Sequence, residues 1–127
     1  PPPAVVRASA PAMEHGRALV QQGDAARRIP ACVACHGSAL TGVQPATPGL
    51  LGLPRDYINS QLGAWTTAQR RAQAPDCMAQ IARLLTSEDV SAVSAWLSAQ
   101  PLPGNGHPAA SLPAQAPLRC GTLEGER

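Results

Sequence analysis

The sequence predicts a small all-α domain of three to five helices over residues 12–100, with extended tails at both ends. Apolar residues recur at the three- and four-residue spacing of helices in several segments of that range, and no segment shows the alternation of a strand. Nine of the 14 prolines lie in residues 1–11 and 101–127, where no packed core is expected. A chain of 127 residues is long enough for one such domain.

The N-terminal part should consist of an extended leader and one helix. Residues 1–11 are rich in proline, and a block of three prolines cannot begin a helix. A helix is expected over residues 12–22, because Gly16, Leu19 and Val20 fall on one face.

A second helix is expected after residues 24–53, which have the composition of a loop. Pro54 suits its first turn, where the missing N–H of proline has no helical partner to lose. The inner face of this helix would carry Tyr57, Ile58, Gln61, Leu62 and Trp65.

Two further helices complete the predicted core. Residues 79–85 can form a short helix, and Thr86 is a suitable N-cap for a last helix that runs to about Ala99. The buried face of the last helix would carry Val90, Val93, Trp96 and Leu97. Residues 101–127 have no hydrophobic period and should form a Pro- and Gly-rich tail.

Composition excludes several classes of function. The net charge is only +2, and the ten basic residues are all arginine, so no dense basic stripe indicates nucleic-acid binding. No apolar run is long enough to cross a membrane, and we expect an exported protein whose signal peptide or anchor is absent from this chain. With two Trp, one Tyr and no Phe, either the core is thin or something other than side chains fills it.

One motif carries the chemistry. Cys32, Cys35 and His36 form C-x-x-C-H, the attachment signature of haem c. Two thiols three positions apart can each add to one vinyl group of a porphyrin, and the histidine then supplies an axial nitrogen to iron. Three weaker alternatives remain: a zinc site lacks a second ligand pair, a thioredoxin-like motif lacks strands around it, and the pattern can arise by chance.

A low-spin haem needs a sixth ligand, for which a methionine thioether is a common choice. Met78 lies in a segment that could fold over the ring after an intervening helix, whereas Met13 precedes the attachment motif. We therefore expect His36 and Met78 to be the iron ligands. Ordinary core filling is the alternative role for either methionine.

From Gly16 to Gln100 the chain resembles class I bacterial cytochromes c, above all the single-haem units of tandem di-haem cytochromes. The resemblance depends on an ordered series of segments, Ile29–Gly37, Thr47–Leu50, Tyr57–Leu62, Met78–Ala82 and Leu85–Val90, followed by Ala95–Leu97. It covers about two-thirds of the chain and implies the small cytochrome c fold around one covalently bound haem c.

The resemblance also implies roles for individual residues. The first and last helices should cross beside the haem at Gly16, with Trp96 packed there. The Pro48 carbonyl should accept a hydrogen bond from the far ring nitrogen of His36. Further haem contacts are implied for Leu50, Tyr57, Leu62 and Trp65, with Gln61 and either Arg70 or Arg71 near the propionates. For Tyr57 and Trp65 simple core packing is the alternative, and for the two arginines it is solvated surface charge.

Cys77 and Cys120 remain outside the attachment motif, in a protein whose haem implies an oxidising compartment. We expect them to form a disulfide that pins the C-terminal tail across the methionine side of the haem. Two alternative iron ligands stay open, namely the Cys77 thiolate and His107 in the tail.

These features predict single-electron transfer, by a periplasmic carrier or by a relay subunit of a larger oxidoreductase. The expected partners are redox proteins that act as donor and acceptor. No catalytic residue is expected, since the iron alone changes oxidation state. The alternative is a haem enzyme with open or cysteine-ligated iron, such as a peroxidase or a sulfur-oxidising cytochrome.

Overall fold

The computed structural model describes residues 8–121 and confirms the all-α prediction for that part of the chain. Isolated β-bridges are present there, but no strand. The five helices are α1 (Ala10–Gln21), α2 (Val33–His36), α3 (Arg55–Thr66), α4 (Cys77–Leu84) and α5 (Ser87–Ala99), with a 3₁₀ turn at Ala25–Arg27.

The boundaries of the helices follow from their caps. α1 begins two residues before the predicted start, because the Ser9 hydroxyl accepts a hydrogen bond from the Ala12 N–H at 3.2 Å. The start of the predicted leader, residues 1–7, lies outside the described residues. Pro54 is the N-cap of α3 and not part of its first turn. α4 likewise begins two residues early, since the Asp76 carboxylate accepts from the Ala79 N–H at 3.1 Å.

The prediction of a loop over residues 24–53 is wrong in two places. The 3₁₀ turn and α2 lie within this segment, and they contain three and four residues respectively. Elements this short cannot show the 3.6-residue period by which helices are found in a sequence.

The core forms where α1 crosses α5. A Cβ atom on Gly16 would lie 2.2 Å from the carbonyl oxygen of Ala92 and 3.0 Å from the Cβ of Trp96, so only glycine permits this approach. Val90 and Trp96 are half-buried, not fully buried as predicted. The buried residues packed around the crossing are Leu19, Val20, Ile29, Leu40, Ile58, Val93 and Leu97.

A buried carboxylate joins the same two helices to the 3₁₀ turn. Asp89 is 2% exposed and completes a capping box with Thr86 at the start of α5. The Arg27 guanidinium donates to both of its oxygens, and Nε2 of His15 lies 2.8 Å from Oδ1. The Arg27 hydrogen bond is the main reason that the pKa of Asp89 lies well below its usual range.

The C-terminal tail is anchored to the domain at two points. Ala109 pairs with the loop at Val43, and Cys120 forms the predicted disulfide with Cys77, with a Cα–Cα distance of 5.5 Å. Among the described helices, none has the length and apolar character needed to cross a bilayer.

Candidate functional site

A cavity of about 520 Å³ lies between α2, α3, the start of α4 and α5. This volume is in the range of small-molecule and cofactor sites. Its wall is mostly apolar, and no carboxylate among the described residues lines it. The structure brings all twelve residues predicted for the cofactor site to this one wall: Cys32, Cys35, His36, Pro48, Leu50, Tyr57, Gln61, Leu62, Trp65, Arg70, Arg71 and Met78.

The two motif cysteines lie on one turn of helix. Cys32 is the N-cap of α2 and Cys35 lies within it, so both thiols reach the same side of the cavity. Both are free cysteines. Burial raises the pKa of Cys32 to about 11, and it also raises the pKa of Cys35. Both side chains are therefore protonated thiols near neutral pH.

His36 is held in one tautomer. Its ring is 6% exposed, and Nδ1 lies 2.7 Å from the carbonyl oxygen of Pro48. A carbonyl only accepts hydrogen bonds, so Nδ1 carries the proton and donates it, and the lone pair lies on Nε2. Burial lowers the pKa of His36, which keeps the imidazole neutral. This is the hydrogen bond that the resemblance implies, and it prepares Nε2 as a metal ligand.

Met78 reaches the cavity from the first turn of α4, where it packs beside Trp65, Ala79 and Ala82. Its half-buried side chain carries the one thioether in the wall. Met13 lies on α1 and does not line the cavity.

The structure favours neither of the two alternative iron ligands, His107 and Cys77. His107 is exposed in the tail and does not line the cavity. Cys77 does line it, but its sulfur is bonded to Cys120. A sulfur in a disulfide is no thiolate, so the intact bond removes Cys77 as a thiolate ligand.

Polar groups gather at one part of the wall. Nη1 of Arg70 donates to Oε1 of Gln61 at 2.6 Å, and its guanidinium carbon lies 5.0 Å from the centre of the Trp65 ring. Nε of Arg71 donates to the Ala68 carbonyl at 3.1 Å. Tyr57 lines the cavity but remains 47% exposed, less buried than its place on the predicted inner face suggested. Two guanidinium groups thus stand at a site without acidic side chains.

Sequence reasoning missed part of the apolar wall. Ile81 and Leu85 line the cavity from α4 and the residue after it. The apolar face of α4 was a signal that could have identified Ile81. Cys120 also lines the cavity, as expected from a disulfide that brings the tail to the methionine side of the haem site.

The residues present fit haem c. Two protonated thiols on one helical turn match the two vinyl groups, and a neutral imidazole with a free Nε2 matches an axial position. The apolar wall suits the macrocycle, while Arg70 and Arg71 suit its two carboxylates. No residue of the wall opposes this assignment by charge.

Comparisons with known proteins point the same way. The family model described as cytochrome c matches residues 13–100. The thiosulfate dehydrogenase electron acceptor of Thiomonas intermedia is 38% identical over 91 residues, which are 72% of this chain and 42% of that protein. Cytochrome c-554(548) of Halomonas halodenitrificans is 36% identical over 81 residues, which are 61% of this chain and 98% of that protein.

Solved structures show the same fold. A thiosulfate dehydrogenase from Marichromatium purpuratum superposes with a TM-score of 0.68 and 34% identity, over 83% of this chain and 23% of that one. Cytochrome c4 of Acidithiobacillus ferrooxidans gives 0.63 and 35%, over 70% of this chain and 50% of that one. The chain thus spans less than half of the Thiomonas intermedia electron acceptor and half of cytochrome c4. With the fold, the motif and the family model in agreement, the chain belongs to the cytochrome c family.

Proposed function

We propose that this chain transfers single electrons through one covalently bound haem c, with His36 and Met78 as axial ligands. The observation that carries the proposal is the convergence of four side chains on the wall of one cavity, namely Cys32, Cys35, His36 and Met78. The bound haem would supply an iron that cycles between the ferrous and ferric states.

The residues of this chain set the conditions for that cycle. Cys32 and Cys35 anchor the ring through thioether bonds. The Pro48 carbonyl fixes the orientation of the His36 imidazole and makes it a stronger donor. The Met78 thioether favours the reduced state and raises the potential. The apolar wall excludes water, which limits the solvent rearrangement that accompanies a change of charge.

The two cavity arginines compensate negative charge. We propose that Arg70 and Arg71 face the propionates, since they are the cationic side chains of a wall without carboxylates. Arg70 is held in place by Gln61 and Trp65. A guanidinium there would favour the reduced iron, because it offsets the added electron.

The partner that we propose is an oxidoreductase acting on a sulfur oxyanion of the thiosulfate class, with this chain as its electron acceptor. Support comes from the two electron acceptors of thiosulfate dehydrogenase that resemble it, at 38% and 39% identity. The proposed compartment is the periplasm, which suits both the disulfide and the haem attachment. We further propose residues 12–100 as the functional domain, between a Pro-rich leader and the tail.

The alternative of a haem enzyme gains no support from the site. Thiolate ligation would require Cys77, whose sulfur is in a disulfide. An open iron would require that no side chain ligand reach the sixth position, whereas Met78 lines the cavity.

Expression in a host that performs cytochrome maturation tests the cofactor. The intact mass should show one haem added to the chain, and the oxidised protein should show the weak absorption band at about 695 nm that is typical of methionine ligation. Met78→Ala should abolish this band, whereas Met13→Leu, which changes a methionine outside the cavity, should keep it. Colourless protein with unmodified thiols at both motif cysteines would refute the proposal.

The partner needs a separate experiment. The ferric protein is mixed with thiosulfate and a thiosulfate dehydrogenase, and haem reduction is followed optically. Rapid reduction that depends on the enzyme supports the proposed partner. Reduction at the rate of thiosulfate alone would refute it, while the assignment of the haem would stand.

A further inference from the structure

The C-terminal tail connects the two parts of the chain that carry the proposed axial ligands. We call residues 101–121 the C-terminal strap. Its Ala109 N–H donates to the carbonyl of Gly42, and its Ala109 carbonyl accepts from the N–H of Gln44, both at 2.8 Å. This attachment lies between His36 and Pro48. The far end of the strap is bonded through Cys120 to Cys77, the residue before Met78.

The segment that precedes Met78, residues 71–76, is mostly exposed, and only its Ala72 packs against a cluster of buried residues. Residues 73–75 are exposed, and the adjoining Arg71 is exposed as well. Within the segment, the Asp76 carboxylate accepts a hydrogen bond from the Ala72 N–H at 2.8 Å and also caps α4. A loop of this kind, without its own core, opens at low free energy unless something outside it holds it.

The strap supplies that support. The Gly121 N–H donates to the carbonyl of Pro75 at 3.0 Å, one residue from the disulfide. Gly121 also fits closely against the segment, since a Cβ on it would lie 2.2 Å from the Ala74 carbonyl oxygen. The start of α4 is therefore held by a covalent bond, a backbone hydrogen bond and close packing, all from the strap.

The disulfide is placed to be permanent. Cys77 and Cys120 are 9% and 5% exposed. Thiol–disulfide exchange requires a thiolate to approach one sulfur, and disulfides that respond to redox conditions are the exposed or strained ones. Burial thus favours a structural clamp over a redox switch.

We propose that the C-terminal strap is a positioning element for Met78, which keeps the thioether on the iron by holding the first turn of α4 in place. The inference rests on the proposed function, because it takes Met78 as the axial ligand. Release of the thioether is easier when the start of α4 can move away from the ring. With the Cys77–Cys120 bond intact, this movement must carry the end of the strap with it.

Cyanide binding to the ferric protein tests the proposal. Cyanide takes the sixth position only after the thioether leaves, so its binding rate at saturating concentration reports that departure. The double variant Cys77→Ser/Cys120→Ser removes the bond without leaving a free thiol. It should bind cyanide at least about tenfold faster, which corresponds to about 1.4 kcal/mol in the barrier. It should also lose the methionine band at lower pH than the unaltered protein does.

A variant of lower stability provides the matched control. Leu19→Ala empties part of the core at the α1–α5 crossing and touches neither the cavity nor the strap. Its cyanide rate should stay within about twofold of the unaltered rate. Equal acceleration in both variants, after their unfolding free energies are compared, would show a general loss of stability and overturn the proposal. An unaltered rate in the serine double variant would overturn it as well.

A second variant covers the case in which the serine double variant does not fold. Gly121→Ala keeps the disulfide but forces the strap away from Ala74. This variant should also bind cyanide faster than the unaltered protein. An unaltered rate in Gly121→Ala would then overturn the proposal. Absence of the methionine band from the unaltered protein would instead refute the ligand assignment in the proposed function. The two failures are therefore distinguishable.

Discussion

Two glycines in helices of this protein should respond to the same substitution with opposite signs. Gly16 lies on α1 at the crossing with α5, whereas Gly63 lies on α3, and beyond its chain neighbours and the adjoining helical backbone no atom lies within 4 Å of the position that its Cβ would take. Alanine is a better helix former than glycine by about 1 kcal/mol in an exposed helix interior. Gly63→Ala should therefore raise the free energy of unfolding by up to about 1 kcal/mol.

The same methyl group at Gly16 meets backbone. Its Cβ would lie 2.2 Å from the Ala92 carbonyl oxygen, whereas carbon and oxygen atoms in close contact normally stand about 3.3 Å apart. Because both contacting groups are backbone, α1 and α5 must separate by about 1 Å to make room for the methyl group. A gap of that size removes up to about half of the dispersion energy between the two helices at the contact. Overpacking of this kind costs about 3 kcal/mol at the upper end of its usual range. After the gain in helix propensity of about 1 kcal/mol is subtracted from this cost, Gly16→Ala should lower the free energy of unfolding by about 2 kcal/mol.

Urea unfolding followed by circular dichroism measures the free energy of unfolding of both variants and of the unaltered protein, all as holoprotein from the same host. Comparable slopes in urea would show that the two variants expose the same surface on unfolding. A Gly16→Ala protein as stable as the unaltered one would refute the close approach of α1 and α5. Loss of stability in Gly63→Ala would refute the view that the two sites differ only in the space around the Cβ.

Three further predictions follow from the charges and from the disulfide. Asp89→Asn should lower the free energy of unfolding at neutral pH by about 2 kcal/mol, because Arg27 and the Thr86 N–H lose a charged acceptor. Since the folded pKa of Asp89 is lowered, this stabilisation is present above the ordinary pKa of about 3.8 and is lost as the pH falls below it. The unfolding curves of the two proteins should therefore converge as the pH falls, and a constant difference would contradict this prediction. Arg70→Gln should lower the reduction potential measured by redox titration, because it removes a cation from the cavity wall, while Arg83→Gln on the exposed surface should not. Removal of the Cys77–Cys120 bond, which spans 43 positions, should lower the free energy of unfolding by about 4 kcal/mol in the chain-entropy model, and a urea midpoint equal to that of the unaltered protein would exclude this.

The chemistry of the site could be predicted because it is local in the sequence. Cys32, Cys35 and His36 lie within five positions, and one turn of helix suffices to bring them to one side of a cavity. The last helix was predictable for a similar reason, since its cap and its buried face both lie in a short segment. Thr86 and Asp89 form the capping box at its start, and it ends at Ala99 as expected.

Features that depend on distant parts of the chain were beyond sequence reasoning. Asp89 lies in the first turn of α5, and it is a buried acceptor for Arg27, which is 62 positions away in the sequence. The attachment of Ala109 to the loop at Gly42 has no side-chain signal, because it consists of backbone hydrogen bonds. Neither contact leaves a pattern of spacing or composition, so neither could be found without the fold.

This domain has few aromatic residues, and its buried residues form two separate clusters. One cluster of buried residues surrounds the α1–α5 crossing, and a second, smaller one consists of Trp65, Ala79 and Ala82. The cavity lies between them, since Val93 and Leu97 of the first cluster and Trp65 of the second all belong to its wall. A macrocycle held there would contact both clusters and contribute the apolar area that phenylalanine and tyrosine supply in other domains. The low aromatic content and the cavity therefore have one explanation, which is that a bound cofactor completes the interior of this domain.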